Sequence, residues 1–313
     1  TPQYSIASHI GDAKIVREKM NIPPSGFVLE EGVVYLLPIQ ERFSLDKDVH
    51  ASINPKSSTG RIDLSTKVIG DNFPVFDRLH EGYKGSLYCI AAPLSFPVRI
   101  RPGDSLNQIR FLVGNPQLDD LEIRELHKRL PLVYDEEGPL DVNRLHVRNS
   151  KLYMGIDLEV TPCAYVSKRD ALDTLDFRRK DHCPGDFFSV VDRNDKKLMI
   201  SPGRFYLLAT NTRWALPVIE RSGEAWSATM VPIEAEYGDF RTHYAGFFDP
   251  GWGSGRDQEM RGKPATLEAR CMDTRLFTFH GQPRCGMTIE RMRAFPDKVY
   301  GSSSHYFAEQ RGP

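Results

Sequence analysis

Apolar residues along this chain fall in short runs, parted by glycine, proline and acidic turns. Val33-Val34-Tyr35-Leu36-Leu37, after a Glu-Glu-Gly turn, predicts a buried strand. Phe43–Ile53 alternates apolar with polar residues, as a strand with one wet face does. Lys67–Ile69, Val75–Leu79, Ser86–Ala91, Phe96–Ile100 and Ser105–Val113 follow as further strands, with turns at Gly82-Tyr83-Lys84-Gly85 and Arg101-Pro102-Gly103. Such spacing implies a mainly β fold, a barrel or a sandwich. Helical spacing is confined to Ser8–Met20, Leu118–Leu130 and Ser167–Arg179, the last ended by Cys183-Pro184-Gly185. The charge-rich Leu118–Leu130 stretch reads as a solvated face within a surface connection.

The pattern then repeats. Gly203-Arg204-Phe205-Tyr206-Leu207-Leu208 echoes Gly32-Val33-Val34-Tyr35-Leu36-Leu37. Ala215–Val218 and Trp226–Val231 echo the strands that lead to Ile53. Gly251-Trp252-Gly253 echoes Gly82-Tyr83-Lys84, and Ile289–Met292 echoes Ile109–Leu112. Repeated order of this kind indicates a diverged internal duplication. The expected division is a first β domain over 1–114, a connection over 115–150 and a second β domain over 151–313.

Composition narrows the class of function. With 313 residues, 40% hydrophobic and 27% charged, the chain is globular rather than disordered. A formal net charge of -1 argues against a nucleic-acid polymer as partner. No apolar run is long enough to span a membrane, and no leader pattern opens the sequence. Five cysteines without C-x-x-C spacing fit reduced thiols, so a cytoplasmic location is expected.

The stretch Ile53–Leu64 reads INPKSSTGRIDL. Lys56, Ser57, Ser58, Thr59, Gly60 and Arg61 place two cations, hydroxyls and backbone N–H groups together, which suits polyphosphate oxygens. The same residues also suit a plain polar turn between strands. The second half has PIEAEYG, Pro232–Gly238, at that place, without serine or arginine. In exchange it carries Asp249-Pro250-Gly251-Trp252-Gly253 and Ala265-Thr266-Leu267-Glu268-Ala269-Arg270. The matching strand of the first half reads Ser86-Leu87-Tyr88-Cys89-Ile90, so Ile90 stands where Glu268 does. Each half keeps part of a site that the other has lost.

At these residues the chain resembles the dCTP deaminases of the trimeric dUTPase superfamily. That family has an R/K-S-S-x-x-R segment, a D-P-G-W-x-G turn, a strand ending in a catalytic glutamate, and a closing tail of the form Y…KYxxQxGP. Here these are Lys56–Arg61, Asp249–Gly253, Glu268 and the tail from Tyr300 to Pro313, YGSSSHYFAEQRGP. The resemblance implies two tandem dUTPase-like β-barrel/β-clip domains with a few short helices. It implies hydrolytic deamination of dCTP to dUTP and ammonia, supplying precursors of dUMP and dTTP. Glu268 would shuttle protons between water, N3 and the leaving amine. Ser57 and the Ala245 carbonyl would hold the water, and Arg61 would steady Glu268 or the developing charge. Lys56, Ser57 and Ser58 would take phosphate oxygens, with Thr59 and Gly60 completing the cradle. Asp249 would meet the deoxyribose 3′-hydroxyl on a turn shaped by Trp252, while Thr266 and Leu267 line the base pocket. Tyr300 and Gln310 would close over the nucleotide, and His305 or Tyr306 stands near the place of the family's lysine.

Family members build this site between two subunits, so this chain would supply both partners from its own halves. A monomer or dimer is expected over a simple trimer. Zinc-dependent nucleobase deaminases need H-x-E with P-C-x-x-C, and neither motif occurs. Magnesium is expected only on the substrate triphosphate. His50, His80, His127, His146, His182, His243 and His280 show no ligand spacing and read as surface or structural residues. Two other readings remain: a dUTPase, or bifunctional enzyme, with a carboxylate aimed at water beside the α-phosphate; and a non-catalytic nucleotide-binding protein on a decayed enzyme fold.

Overall fold

The computed structural model describes residues 18–71, 73–171, 173–192, 195–233, 240–243, 246–254, 261–271 and 274–300. The helix expected over Ser8–Met20 therefore falls largely outside the described residues. The chain forms two units, one of residues 1–115 with 169–187, the other of 116–168 with 188–313. Both are mainly β.

In the first unit a four-stranded antiparallel sheet runs Tyr35–Ser44, Lys84–Pro93, Leu64–Gly70, Phe73–Phe76. A second sheet sets Val49–Pro55 between Arg78–Leu79 and Asn107–Val113. Period-two burial follows from the sequence: Leu64, Thr66 and Val68 turn inward while Lys67 stays out. Leu87, Cys89 and Ala91 meet them in a core with Ile53, Leu79 and Tyr83. Phe43–Ile53 is not one strand, because Leu45-Asp46-Lys47-Asp48 turns the chain and Val49 N–H donates to the Asp46 carbonyl at 3.1 Å. The Val33–Leu37 run is also not buried. It opens an edge strand, so Val34 is 67% and Leu36 37% exposed.

The second unit has two larger sheets. One runs Phe188–Val191, Ala164–Ser167, Phe205–Trp214, Lys263–Cys271, Phe240–His243. The other runs Val147–Arg148, Lys151–Gly155, Pro283–Arg291, Glu224–Val231, Val218–Ile219. Leu208, Ala265, Leu267 and Ala269 from the first pack with Met154, Ala228, Met230, Met287 and Ile289 from the second. The helix Asp120–Arg129 forms as its spacing predicts, with Asp119 and Glu122 in a capping box. It is more than a surface connection. Ile123 and Leu126 are buried in this same core, each worth about 2 kcal/mol of apolar transfer. Its Leu121, Glu122, Glu125, Lys128 and Arg129 are exposed. Residues 116–150 thus belong to the second unit.

The helix expected over Ser167–Arg179 does not form. Leu175–Asp176 instead pairs in parallel with Val98–Ile100 of the first unit. Leu175 N–H donates to the Pro97 carbonyl at 3.0 Å and Phe177 N–H to the Arg99 carbonyl at 3.0 Å. Arg101 grips both Asp176 oxygens at 2.6 Å, and Arg178 donates to Asp104 at 2.5 Å. These distant partners outweigh local helix propensity. Pro184 opens a one-turn helix, Pro184–Phe187, rather than stopping one.

The duplication holds bond by bond. Tyr35, Leu36 and Leu37 lie opposite Ala91, Ile90 and Cys89; Tyr206, Leu207 and Leu208 lie opposite Ala269, Glu268 and Leu267. Each register then breaks at the same place, between Pro38 and Arg42 in one unit and between Ala209 and Arg213 in the other. Tyr35 OH accepts from Glu30 N–H at 2.9 Å, and Tyr206 OH accepts from Ser201 N–H at 3.0 Å. Leu45 N–H donates to the Tyr83 carbonyl at 2.9 Å, and Leu216 N–H to the Trp252 carbonyl at 2.7 Å. One echo shifts by two residues. Ile109 lies opposite Ile53 in its core, and Met287 opposite Met230 in its own, so Met287 rather than Ile289 is the counterpart of Ile109.

Candidate active site

Residues Ser57–Gly60 form a single helical turn directly after the Val49–Pro55 strand. Lys56 N–H and the Thr59 hydroxyl both donate to the Leu106 carbonyl, at 2.9 and 2.8 Å. Asp63, at φ 54° and fully buried, closes the turn and accepts from the Ser95 hydroxyl at 2.6 Å. Lys56, Ser57, Ser58 and Arg61 are left half-buried, whereas Thr59 and Gly60 face inward. This corrects one expectation: the Thr59 hydroxyl is committed to a carbonyl and pins the turn, and is not presented with Ser57 and Ser58.

Glu268 sits in the Lys263–Cys271 strand of the second unit. Ala265, Leu267, Ala269 and Cys271 face the core, so Thr266, Glu268 and Arg270 face the other way. Glu268 is nonetheless 1% exposed. Its strand neighbours by register are Leu207 on one side and His243 on the other. Leu267 cannot line a pocket with Glu268 through its side chain, since alternation sends it into the core at 0% exposure. The break in register opposite this strand is held by Thr210, whose hydroxyl accepts Ala265 N–H at 2.9 Å and donates to the Thr212 carbonyl at 2.7 Å.

The turn Asp249–Gly253 is fastened to Leu216, just after the Phe205–Trp214 strand, and to Gly262, just before the Lys263–Cys271 strand. Gly251 N–H and the Ser254 hydroxyl donate to the Leu216 carbonyl at 2.9 Å each, and Gly262 N–H donates to the Gly253 carbonyl at 3.0 Å. Gly253 has φ 71°, and a Cβ there would stand 2.0 Å from the Trp214 carbonyl oxygen, so only glycine fits. Trp252 packs edge-on against Phe248 at 4.7 Å, which leaves Asp249 exposed at the head of the turn. Tyr300 N–H donates to the Pro250 carbonyl at 2.8 Å, which ties the last described residue to this turn.

The predicted site residues thus fall in two groups: Lys56–Arg61 in the first unit; Thr266, Glu268, Asp249, Trp252 and Tyr300 in the second. Ala245, His305, Tyr306 and Gln310 lie outside the described residues. Cys89, the counterpart of Leu267, is no nucleophile: burial, with help from the Asp77 charge, pushes its thiol up to about 12. His127 is structural, its Nδ1 accepting Leu132 N–H at 3.1 Å and its Nε2 lying 2.7 Å from the Leu140 carbonyl. Among the described residues no group of three or more His, Cys, Asp or Glu is placed to hold a metal ion. Arg270 and Thr210 were not singled out from the sequence. Alternating polar residues in KPATLEARC were a signal for the first, whereas nothing in the sequence marks the second.

Comparison with known proteins bears on both units. Residues 2–115 match the 2'-deoxycytidine 5'-triphosphate deaminase (DCD) N-terminal domain, and residues 119–311 match the DCD C-terminal domain. No curated protein matches the chain. Among solved structures it is similar to 2'-deoxycytidine 5'-triphosphate deaminase from Agrobacterium tumefaciens, with 33% identity and a TM-score of 0.78, over 91% of this chain and 81% of that one. The fold is dUTPase-like, and the chain belongs to the 2'-deoxycytidine 5'-triphosphate deaminase family.

Proposed function

We propose that the chain hydrolyses the C4–amino bond of dCTP without zinc, releasing dUTP and ammonia. The observation that carries this reading is Glu268: a buried carboxylate on the non-core face of its strand, at the position where the duplicated strand has Ile90. A carboxylate there takes one proton from water as the oxygen attacks C4 and passes it to N3. It then takes the second proton from the added hydroxyl and delivers it to the amine, which leaves as ammonia. Ser57 and the Ala245 carbonyl hold the water, and Arg61 steadies the charge that develops. Lys56, Ser57 and Ser58 receive the triphosphate, which arrives with magnesium as part of the substrate. Asp249 receives the 3′-hydroxyl, Thr266 borders the base, and the tail from Tyr300 through His305, Tyr306 and Gln310 closes over the nucleotide. The absence of H-x-E and P-C-x-x-C supports zinc-free chemistry. A chain with both half-sites has no need of a trimer, which supports a monomer or dimer, and five cysteines without C-x-x-C spacing support a cytoplasmic location.

The test is ammonia release from dCTP by the wild type and by Glu268→Gln. The variant should lose about 10²–10⁴-fold in turnover while keeping nucleotide affinity. Undiminished turnover would refute the role of Glu268. Pyrophosphate among the products would instead favour a bifunctional deaminase and dUTP diphosphatase.

A further inference from the structure

The Phe205–Trp214 and Lys263–Cys271 strands pair from Phe205 opposite Arg270 to Ala209 opposite Thr266, part, and meet again at Arg213 opposite Pro264. Across the break Thr210, Asn211 and Thr212 stand against Ala265 alone, so one strand must take up extra length. Ala265 is buried, and its N–H needs a partner inside the fold. That partner is the Thr210 hydroxyl, 2.9 Å away, which donates in turn to the Thr212 carbonyl at 2.7 Å. Trp214 Nε1–H donates to the Thr212 hydroxyl at 3.1 Å. Thr210 is itself buried, at 2% exposure. A single side chain thus folds up the extra length and stands in for a bond of the ladder.

What lies on either side of the break gives it a use. On one side Thr266 comes next, with Glu268 two positions beyond it on the same strand. On the other side the pairing resumes and the chain runs on to Leu216. Leu216 N–H donates to the Trp252 carbonyl at 2.7 Å, and its own carbonyl receives Gly251 N–H at 2.9 Å. This is the turn that carries Asp249. The break therefore sets the spacing between the base-side residues and the sugar-side residue, all of them in the second unit. The internal repeat supplies an independent observation. Pro38 is the counterpart of Ala209, so Ile39 stands where Thr210 does. Ile39 packs its hydrocarbon against the core of the first unit. The hydroxyl stands in the copy that carries Glu268 and Asp249, and not in the other.

We propose that Thr210 is a positioning residue that couples recognition of the deoxyribose 3′-hydroxyl to turnover at the base. The proposal rests on the roles given above to Glu268 and Asp249. With the break pinned, a nucleotide held at its 3′-hydroxyl by Asp249 presents C4 to Glu268 at one fixed spacing. With the pin removed, the two ends of the nucleoside are no longer held in one register. A misplacement of about 1 Å in such a site costs about 10²-fold in rate.

The experiment compares kcat/KM for dCTP and for 2′,3′-dideoxycytidine triphosphate in the wild type, Thr210→Val, Thr210→Ser and Asp249→Ala. The wild type should favour dCTP by about 10-fold or more, the worth of a hydrogen bond to a charged group. Asp249→Ala should abolish that preference. Thr210→Val should lower turnover of dCTP by about 10-fold or more and cut the preference below about threefold, while Thr210→Ser restores both. A role confined to stability would slow both nucleotides alike. An unchanged preference in a folded Thr210→Val therefore overturns the proposal, whatever its turnover. If Thr210→Val does not fold, Thr212→Val removes only the hydroxyl that accepts from Trp214. It should reduce the preference in the same sense, and an unchanged preference there overturns the proposal. A wild type without preference overturns it together with the role of Asp249. The same preference is read without the chemistry as the ratio of dissociation constants for the two nucleotides in a Glu268→Gln background. Should the wild type release no ammonia from dCTP, the proposed activity fails, while that ratio, with and without Thr210→Val, still decides the role of Thr210.

Discussion

Ser57 and Thr59 lie two positions apart in one helical turn, yet Thr59 is buried and Ser57 is left half-buried. Thr59 is fully buried and donates to Leu106, whose carbonyl also receives Lys56 N–H. Thr59→Val should cost about 1 kcal/mol of stability and raise KM for the nucleotide, because the turn that carries Lys56, Ser57 and Ser58 loses a pin. Thr59→Ser should restore both. Denaturant unfolding with nucleotide titration checks this, and an unchanged KM in a destabilised Thr59→Val would separate the pin from the cradle. At this scale residue type marks the groups able to carry chemistry, such as the buried Glu268 carboxylate and the exposed Asp249 carboxylate. It was a poor guide to direction. Thr59 and Leu267 share their segments with residues proposed to act on the nucleotide, and only packing reveals that both point the other way.

Among the elements, the segment 169–187 has the most to lose from a single change. It belongs to the first unit although the residues on both sides of it belong to the second. Its hold rests on Leu175–Asp176 pairing with Val98–Ile100 and on the two-bond grip of Arg101 on Asp176. The Arg101 guanidinium holds the Asp176 carboxyl well below the usual carboxylate range. A carboxylate lowered in the folded state contributes stability above its unfolded value of about 3.9, and that contribution is lost as pH falls through the folded value. Asp176→Asn should therefore release the segment to proteolysis at neutral pH, and the difference from wild type should shrink progressively below about pH 4. A difference that persists unchanged into strong acid would show that the pair is not what holds the segment. The alternation of Leu64–Gly70 and Lys84–Pro93 was legible in the sequence because a sheet's buried face repeats every second residue. The 169–187 segment was not, since Leu175–Asp176 pairs with Val98–Arg99, far upstream in the chain, and local propensity carries no trace of it.

For the molecule as a whole, the repeat turns a matter of oligomeric state into one of chain economy. The two units share registers, the register break, the tyrosine bond and the glycine turn, yet one carries Lys56–Arg61 and the other Glu268 with Asp249. If both sets serve one nucleotide and come from the same chain, disabling either set silences that chain outright. Ser57→Ala and Glu268→Gln variants should then each be inactive, and a mixture unfolded and refolded together should remain inactive, because no chain holds a complete set. Turnover that returns on mixing would mean that one chain's cradle serves another chain's acid, as in an assembly of separate subunits. Ammonia release before and after co-refolding decides between these. Replacing Ile90 with glutamate in the wild type should add no second activity, because the residues PIEAEYG offer neither serine nor arginine to complete a second site. If the proposed shared site holds, the same loss that makes the two halves different also makes each dependent on the other.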